Sequence, residues 1–110
     1  MMKLILAIIQ DKDSNRLSSK FVKENIRATK LSTTGGFLKE GNTTFIIGIE
    51  DERVQKALEV IESVCQSREQ YMTSPISVDA VVDSHLNVPI PVQVGGATVF
   101  VLPVESFHQF

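Results

Sequence analysis

Three apolar runs punctuate the chain, and each is bounded by a polar or glycine step. Leu4–Ile9 reads Leu-Ile-Leu-Ala-Ile-Ile and stops at Gln10-Asp11-Lys12-Asp13. A short, uninterrupted, β-branched run of this kind predicts a central strand buried on both faces. Thr43–Glu50 predicts a second strand, and Ala97–Leu102, after Gly95-Gly96, predicts a last one. Between the runs the period changes. Leu17, Phe21, Val22 and Ile26 recur at helical spacing behind the capping candidates Asp13, Ser14 and Asn15. Asp51 is a candidate N-cap, with Glu52 in the first turn where the helix dipole favours an acid. Val54, Ala57, Leu58, Ile61, Val64 and Cys65 then mark one face of a long helix, which Arg68–Pro75 ends.

The remaining segments read as connections and edges. Arg27–Thr33 alternates as a strand, and Thr34-Gly35-Gly36 breaks it. Phe37–Asn42 is a polar-ended connection. In residues 76–94, Ile76, Val78, Ala80 and Val82 alternate, Asp83–Asn87 is polar, and Pro89 and Pro91 bracket Ile90. Proline is excluded from central ladders, so this stretch predicts a long loop or a hairpin of edge strands. The resulting order is β-α-β-β-α-β with an extra strand or loop inserted before the last strand. That is an α+β chain with the split βαβ pattern of ferredoxin-like folds. At 110 residues it is expected to form a single domain over 1–110. Two helices cover one sheet face, yet the strands are apolar on both. A partner copy is therefore expected on the second face, which predicts a homo-oligomer.

Composition narrows the function classes. Apolar residues make up 43% and charged residues 22%, the balance of a folding chain rather than a disordered one. The net charge is −2, so no global basic field exists to hold a nucleic-acid polymer. A single cysteine, Cys65, rules out an intrachain disulfide and a thiol-based metal site. The apolar run after Met1-Met2-Lys3 is shorter than a signal-peptide core, and no stretch approaches the ~18 apolar residues of a membrane span. A cytoplasmic location without membrane contact is expected. Asn42-Thr43-Thr44 matches a glycosylation sequon and, without a secretory signal, reads as chance.

Few residues invite catalysis. His85 and His108 are far apart and read as solvated or locally bonded. Cys65 lies on an apolar helix stripe and reads as a small buried hydrophobe. Asp11 and Asp13 read as a helix-capping cluster rather than a metal or acid/base pair. No Walker loop, H-E-x-x-H or G-x-S-x-G is present. An acylphosphatase-like phosphohydrolase, one enzyme alternative for this topology, needs a glycine-containing phosphate cradle between the first strand and helix. Here that turn is Gln10-Asp11-Lys12-Asp13-Ser14-Asn15-Arg16, with two acids and no glycine.

The richest segment is Asn25–Asn42. Alternation puts Arg27, Thr29 and Leu31 on one face, with a guanidinium fork suited to phosphate oxygens and a hydroxyl beside it. Gly35 and Gly36 can aim backbone N–H groups at an anion. Phe37 and Leu38 offer an apolar plate, and Asn42 can pair with a purine edge. From composition and spacing two readings stand: a nucleotide site, or the plainer strand, tight turn and core phenylalanine, which these alone favour.

The run Asn25-x-Arg27-Ala28-Thr29-Lys30-Leu31-x-Thr33-Thr34-Gly35-Gly36-Phe37-Leu38-x-x-Gly41-Asn42-Thr43-Thr44-Phe45 closely resembles the PII-like cyclic di-AMP receptor proteins of Gram-positive bacteria. So do Lys3–Asp13, Val94–Val101 and the ending Phe107-His108-Gln109-Phe110. Ile76–Asn87 matches least. The resemblance implies a trimeric PII-like fold that binds the cyclic dinucleotide between subunits, with no catalysis and no cofactor. It implies signalling to a downstream protein by loop rearrangement, with the insert after the second helix as the effector surface. Carried onto this sequence, the implied ligand contacts are Asn25, Arg27, Ala28, Thr29, Phe37, Leu38, Asn42, Gly48, Phe100 and Gln109. A PII-like adaptor for ATP or ADP is the nearest alternative.

Overall fold

The computed structural model describes residues 1–31, 41–72 and 90–110. In chain order the elements are β1 (Met2–Gln10), α1 (Asp11–Lys23), β2 (Thr29–Leu31), β3 (Asn42–Glu50), α2 (Asp51–Cys65), β4 (Arg68–Met72), β5 (Ile90–Val94) and β6 (Ala97–Pro103). Four strands form an antiparallel sheet in the order β2-β3-β1-β6, and β4 and β5 pair separately as a two-stranded antiparallel sheet. The two longest apolar strands thus take the central positions, where both ladders are satisfied, and each runs without a loop into its helix. With β4 and β5 set aside, this is the expected ferredoxin-like βαββαβ arrangement, and the two-stranded hairpin is the insert.

One sheet face packs under the helices. Ile5, Ala7 and Ile9 of β1 alternate onto it, as do Phe45, Ile47 and Ile49 of β3. Leu17 and Phe21 come down from α1, and Ala57, Val60, Ile61 and Cys65 from α2. Phe21 meets Phe45 edge to face, with ring centroids 5.6 Å apart. Among the described residues, no helix lies on the other face. Cross-strand partners place Leu4, Leu6 and Ile8 of β1, Ile46 and Gly48 of β3, and Phe100 and Leu102 of β6 on it, with Thr29 and Leu31 of β2 at the edge. Phe100 is 51% exposed and Leu102 41%, while the β1 residues are half-buried. The expectation that Leu4–Ile9 is buried on both faces is therefore corrected within one protomer: only the helix side is closed.

Several local expectations also change. α1 begins at Asp11 after Gln10, not behind Asp13, Ser14 or Asn15, because the chain passes from strand to helix with no intervening turn. Asp13 lies inside the first turn and is buried. Val22 is 79% exposed: it sits on the far side of the stripe set by Leu17 and Phe21. Glu50, rather than Asp51, precedes α2 as its cap residue, and Val60 joins the buried stripe. α2 ends at Cys65, and Arg68–Met72 is a strand paired with Ile90–Val94. Regular pairing in the second strand covers Thr29–Leu31, with Arg27 ahead of it. Pro91 stands in the two-stranded hairpin, as edge-strand chemistry requires.

Candidate functional site

The site begins where α1 stops. Asn25 adopts φ 56°, a left-handed conformation that asparagine tolerates. Its N–H donates to the Val22 carbonyl at 3.1 Å, and the Ile26 N–H donates to the Phe21 carbonyl at 2.8 Å. These two bonds form a Schellman motif, and its hydrophobic contact is made by Ile26 and Phe21, both in the core. The turn throws the chain off the helix so that Arg27 emerges next to β3. Thr29 stands opposite Ile46, and two residues back along the same register bring Arg27 level with Gly48.

There the surface is indented. An open pocket of about 320 Å3 is lined by Met2, Asn25, Arg27, Gly48, Glu50 and Arg53. Its polar side chains are two guanidinium groups, one carboxylate and the Asn25 carboxamide, and its lining includes the bare backbone of Gly48. The fold does not explain that glycine. Its φ is not positive, and an added Cβ would meet only the Met2 Cε, at 3.5 Å, an ordinary contact. Glycine in a strand interior weakens the strand, and such glycines mark sites where something approaches the backbone closely. Gly48 thus has room for a close neighbour that the described residues do not themselves supply.

Arg53 was not singled out by sequence. It lies in the first turn of α2, and its Nη2 donates to the Glu24 carbonyl at 2.9 Å while its Nη1 donates to the Asn25 carbonyl at 3.0 Å. The available signal was a cation where the dipole of its own helix disfavours one.

The other expected contacts lie apart. Ala28 is partly buried against the core, and Thr29 is exposed on β2. Asn42 opens β3 opposite Gln10, six positions from Gly48, which is about 20 Å along a strand. Phe100 is opposite Leu6 on the helix-free face, with β1 and β3 between its strand and β2. Gln109 is exposed in the C-terminal tail. Gly35, Gly36, Phe37 and Leu38 lie outside the described residues, as do His85 and residues 76–89 of the insert. Within one protomer, then, Asn25, Arg27 and Gly48 come together, whereas Asn42, Phe100 and Gln109 do not join them.

A second cluster holds the hairpin. The buried Asp13 carboxylate accepts from Arg68 Nη2 at 2.9 Å and from Arg16 Nη2 at 3.4 Å, and Arg16 also donates to the Val64 carbonyl. Asp11 takes the Thr43 hydroxyl, and its N–H donates to the Gly41 carbonyl at 2.7 Å. The Gly95 N–H donates to Gln10 Oε1 at 2.8 Å. The Asp11 and Asp13 pair therefore ties the end of the 32–41 connection and the base of the hairpin to one helical turn. Burial, with a smaller contribution from Asp13, pushes the Cys65 thiol up to about 11, and Arg16 and Arg68 oppose this. The hydrogen bond to Asp13 raises the Arg68 guanidinium above its usual value. On the outer helical surface, Asn15, Arg16, Lys20, Lys23 and Ser63 line a wider open groove of about 460 Å3.

The family model for the cyclic-di-AMP receptor matches residues 2–110. The chain belongs to the cyclic-di-AMP receptor family. This receptor chain is also similar to a solved protein of unknown function from Pediococcus pentosaceus. The two are 55% identical over 99% of this chain and 97% of that one, with a TM-score of 0.78. Arabidopsis thaliana PII bound to citrate shares the fold at a TM-score of 0.57 and 16% identity, over 94% of the receptor and 74% of the plant protein. The receptor is thus PII-like in fold. Among its described residues no helix is long and apolar enough to cross a membrane.

Proposed function

We propose that the chain is a cytoplasmic, non-catalytic signalling receptor that binds cyclic di-AMP between the subunits of a homotrimer and passes the event to a downstream protein. The observation that carries this reading is the pocket: Asn25 and Arg27 after α1, and Gly48 from within β3, line one opening at the margin of an apolar sheet face on which the described residues place no helix. Arg27 supplies a charge-assisted fork for a phosphate. The bare Gly48 backbone admits a base at close range. At about 320 Å3 the pocket is at the small end of the ligand-site range, room for part of a dinucleotide rather than all of it. A second copy packed on the helix-free face completes the site, bringing Phe100 as a stacking plate. Thr29, Asn42, Gln109 and the 35–38 segment add contacts at this subunit junction. Ligand contacts there bias residues 36–42 and the insert between β4 and β5, and the insert presents the surface for the downstream partner.

The phosphohydrolase alternative is disfavoured at its own site. β1 enters α1 without a loop, and the first turn carries Asp11 and the buried Asp13. The test is a set of parallel calorimetric titrations with cyclic di-AMP, cyclic di-GMP and ATP, followed by chromatography of the ligand. Saturable binding of cyclic di-AMP in preference to the other two, with the ligand recovered intact, is the expected result. Preferential ATP binding supports the adenine-nucleotide adaptor instead, and a hydrolysed ligand overturns the non-catalytic reading.

A further inference from the structure

We propose that Arg53 is a positioning residue of the pocket: it clamps the α1–β2 turn and so fixes the approach from which Arg27 meets the ligand. This rests on the receptor reading for the identity of the ligand, though not for the clamp itself. The carbonyls at the end of a helix have no intrahelical donors and usually turn to water. Here the carbonyl of the C-cap Glu24 and that of Asn25, the next residue, both accept from a single guanidinium, at 2.9 and 3.0 Å. Such a fork matches the planar, rigid donor geometry of arginine, which a lysine ammonium does not reproduce.

The placement supports this role. In the first turn of α2 a cation opposes that helix's dipole, but the same charge stands at the C-terminal end of α1, where a cation is favoured. The Glu24 side chain is held as well, by Lys56 at 3.3 Å and Lys20 at 3.9 Å. Asn25 is held in the left-handed region at φ 56°, and Ile26 is buried. The main chain is therefore fixed up to the residue before Arg27, while the Arg27 side chain itself stays exposed. Arg53 lines the same opening, yet two of its N–H groups are already committed to carbonyls. It shapes the site through Arg27 and does not bind the phosphate itself.

A double-mutant cycle with Arg27 separates positioning from contact. Arg53→Ala is expected to weaken cyclic di-AMP binding about tenfold, and Arg53→Lys less. In the Arg27→Ala background the added effect of Arg53→Ala is expected to shrink below about threefold, because nothing remains to be positioned. An undiminished effect in that background makes Arg53 a direct contact and overturns the proposal. So does unchanged binding by Arg53→Ala alone. A second arm needs no ligand: amide exchange at Asn25 and Ile26 is expected to accelerate in Arg53→Ala while exchange in β1 and β3 stays the same. If the unaltered chain fails to bind cyclic di-AMP, the receptor reading falls, and this arm still decides the clamp. Unchanged exchange at Asn25 and Ile26 overturns it.

Discussion

Gly48→Ala separates what the protomer needs from what the ligand needs. In the folded chain the new methyl group meets only the end of the flexible Met2 side chain, at 3.5 Å, and the backbone φ suits alanine. Replacing glycine at such a position reduces the entropy of the unfolded chain and stabilises by about 0.4–1 kcal/mol. For a chain of this size that is a rise in Tm of roughly 2–4 °C. Binding should move the other way. A base in van der Waals contact with the Gly48 backbone must retreat by most of a C–C bond, about 1.5 Å. A gap of even ~0.5–1 Å forfeits a quarter to a half of each dispersion contact. A hydrogen bond to the same backbone, worth about 0.5–1.5 kcal/mol, is lost as well. Together these amount to roughly 1.5–3 kcal/mol, or about 10- to 100-fold in Kd. Calorimetric titration with cyclic di-AMP and a thermal melt on the same sample read both quantities, with light scattering to confirm an unchanged assembly. A Kd within about threefold of the original, with Tm raised, would show that the ligand does not cross Gly48. A lower Tm would refute the claim that the protomer has room for the methyl group.

Other consequences follow from the same geometry. The unaltered chain should scatter as a trimer of about 37 kDa, three times the 12.2 kDa chain, and Leu102→Glu, which puts a charge on the helix-free face, should give a folded monomer. A stable monomer before substitution contradicts the assembly. Gly95→Ala should destabilise more than Gly96→Ala in denaturant titrations. Both have positive φ, worth about 1–2 kcal/mol of strain, but only at Gly95 does a Cβ fall within 2.8 Å of the Gln66 carbonyl and 3.2 Å of the Cys65 carbonyl. Equal losses would refute this account of the hairpin base. Cys65 has a folded pKa of about 11 against 9.0 for the ordinary thiol, so the unfolded chain releases this proton first. The stability it contributes is intact below pH 9 and lost as pH rises toward 11. The difference in unfolding free energy between the original and Cys65→Ala should accordingly narrow over that window, and a constant difference would count against the buried thiol.

The parts of the fold that were legible in sequence are those set by local pattern. Leu4–Ile9, Thr43–Glu50 and Ala97–Leu102 are apolar enough to announce strands, and Leu17 with Phe21 announces a buried helix stripe. β4 was not legible because Arg68-Glu69-Gln70-Tyr71-Met72 has neither alternation nor an apolar run. It exists through pairing with β5 and through Arg68 on Asp13, 55 residues away in sequence. The same long-range partner explains Asp13, which locally reads as a cap. Arg27 was legible from its chemistry, and Gly48 from family resemblance alone; their shared pocket depends on strand register. Arg53 was missed because its function lies in carbonyls supplied by another helix.

A crystal structure of the cyclic di-AMP complex tests the central claim most directly. The account predicts one ligand at each subunit junction, a phosphate oxygen within hydrogen-bond reach of the Arg27 guanidinium, a base against the Gly48 backbone, and Phe100 beside it. Ligand found instead in the groove of Arg16, Lys20 and Lys23, or held by one protomer with no contribution from its neighbour, would contradict it.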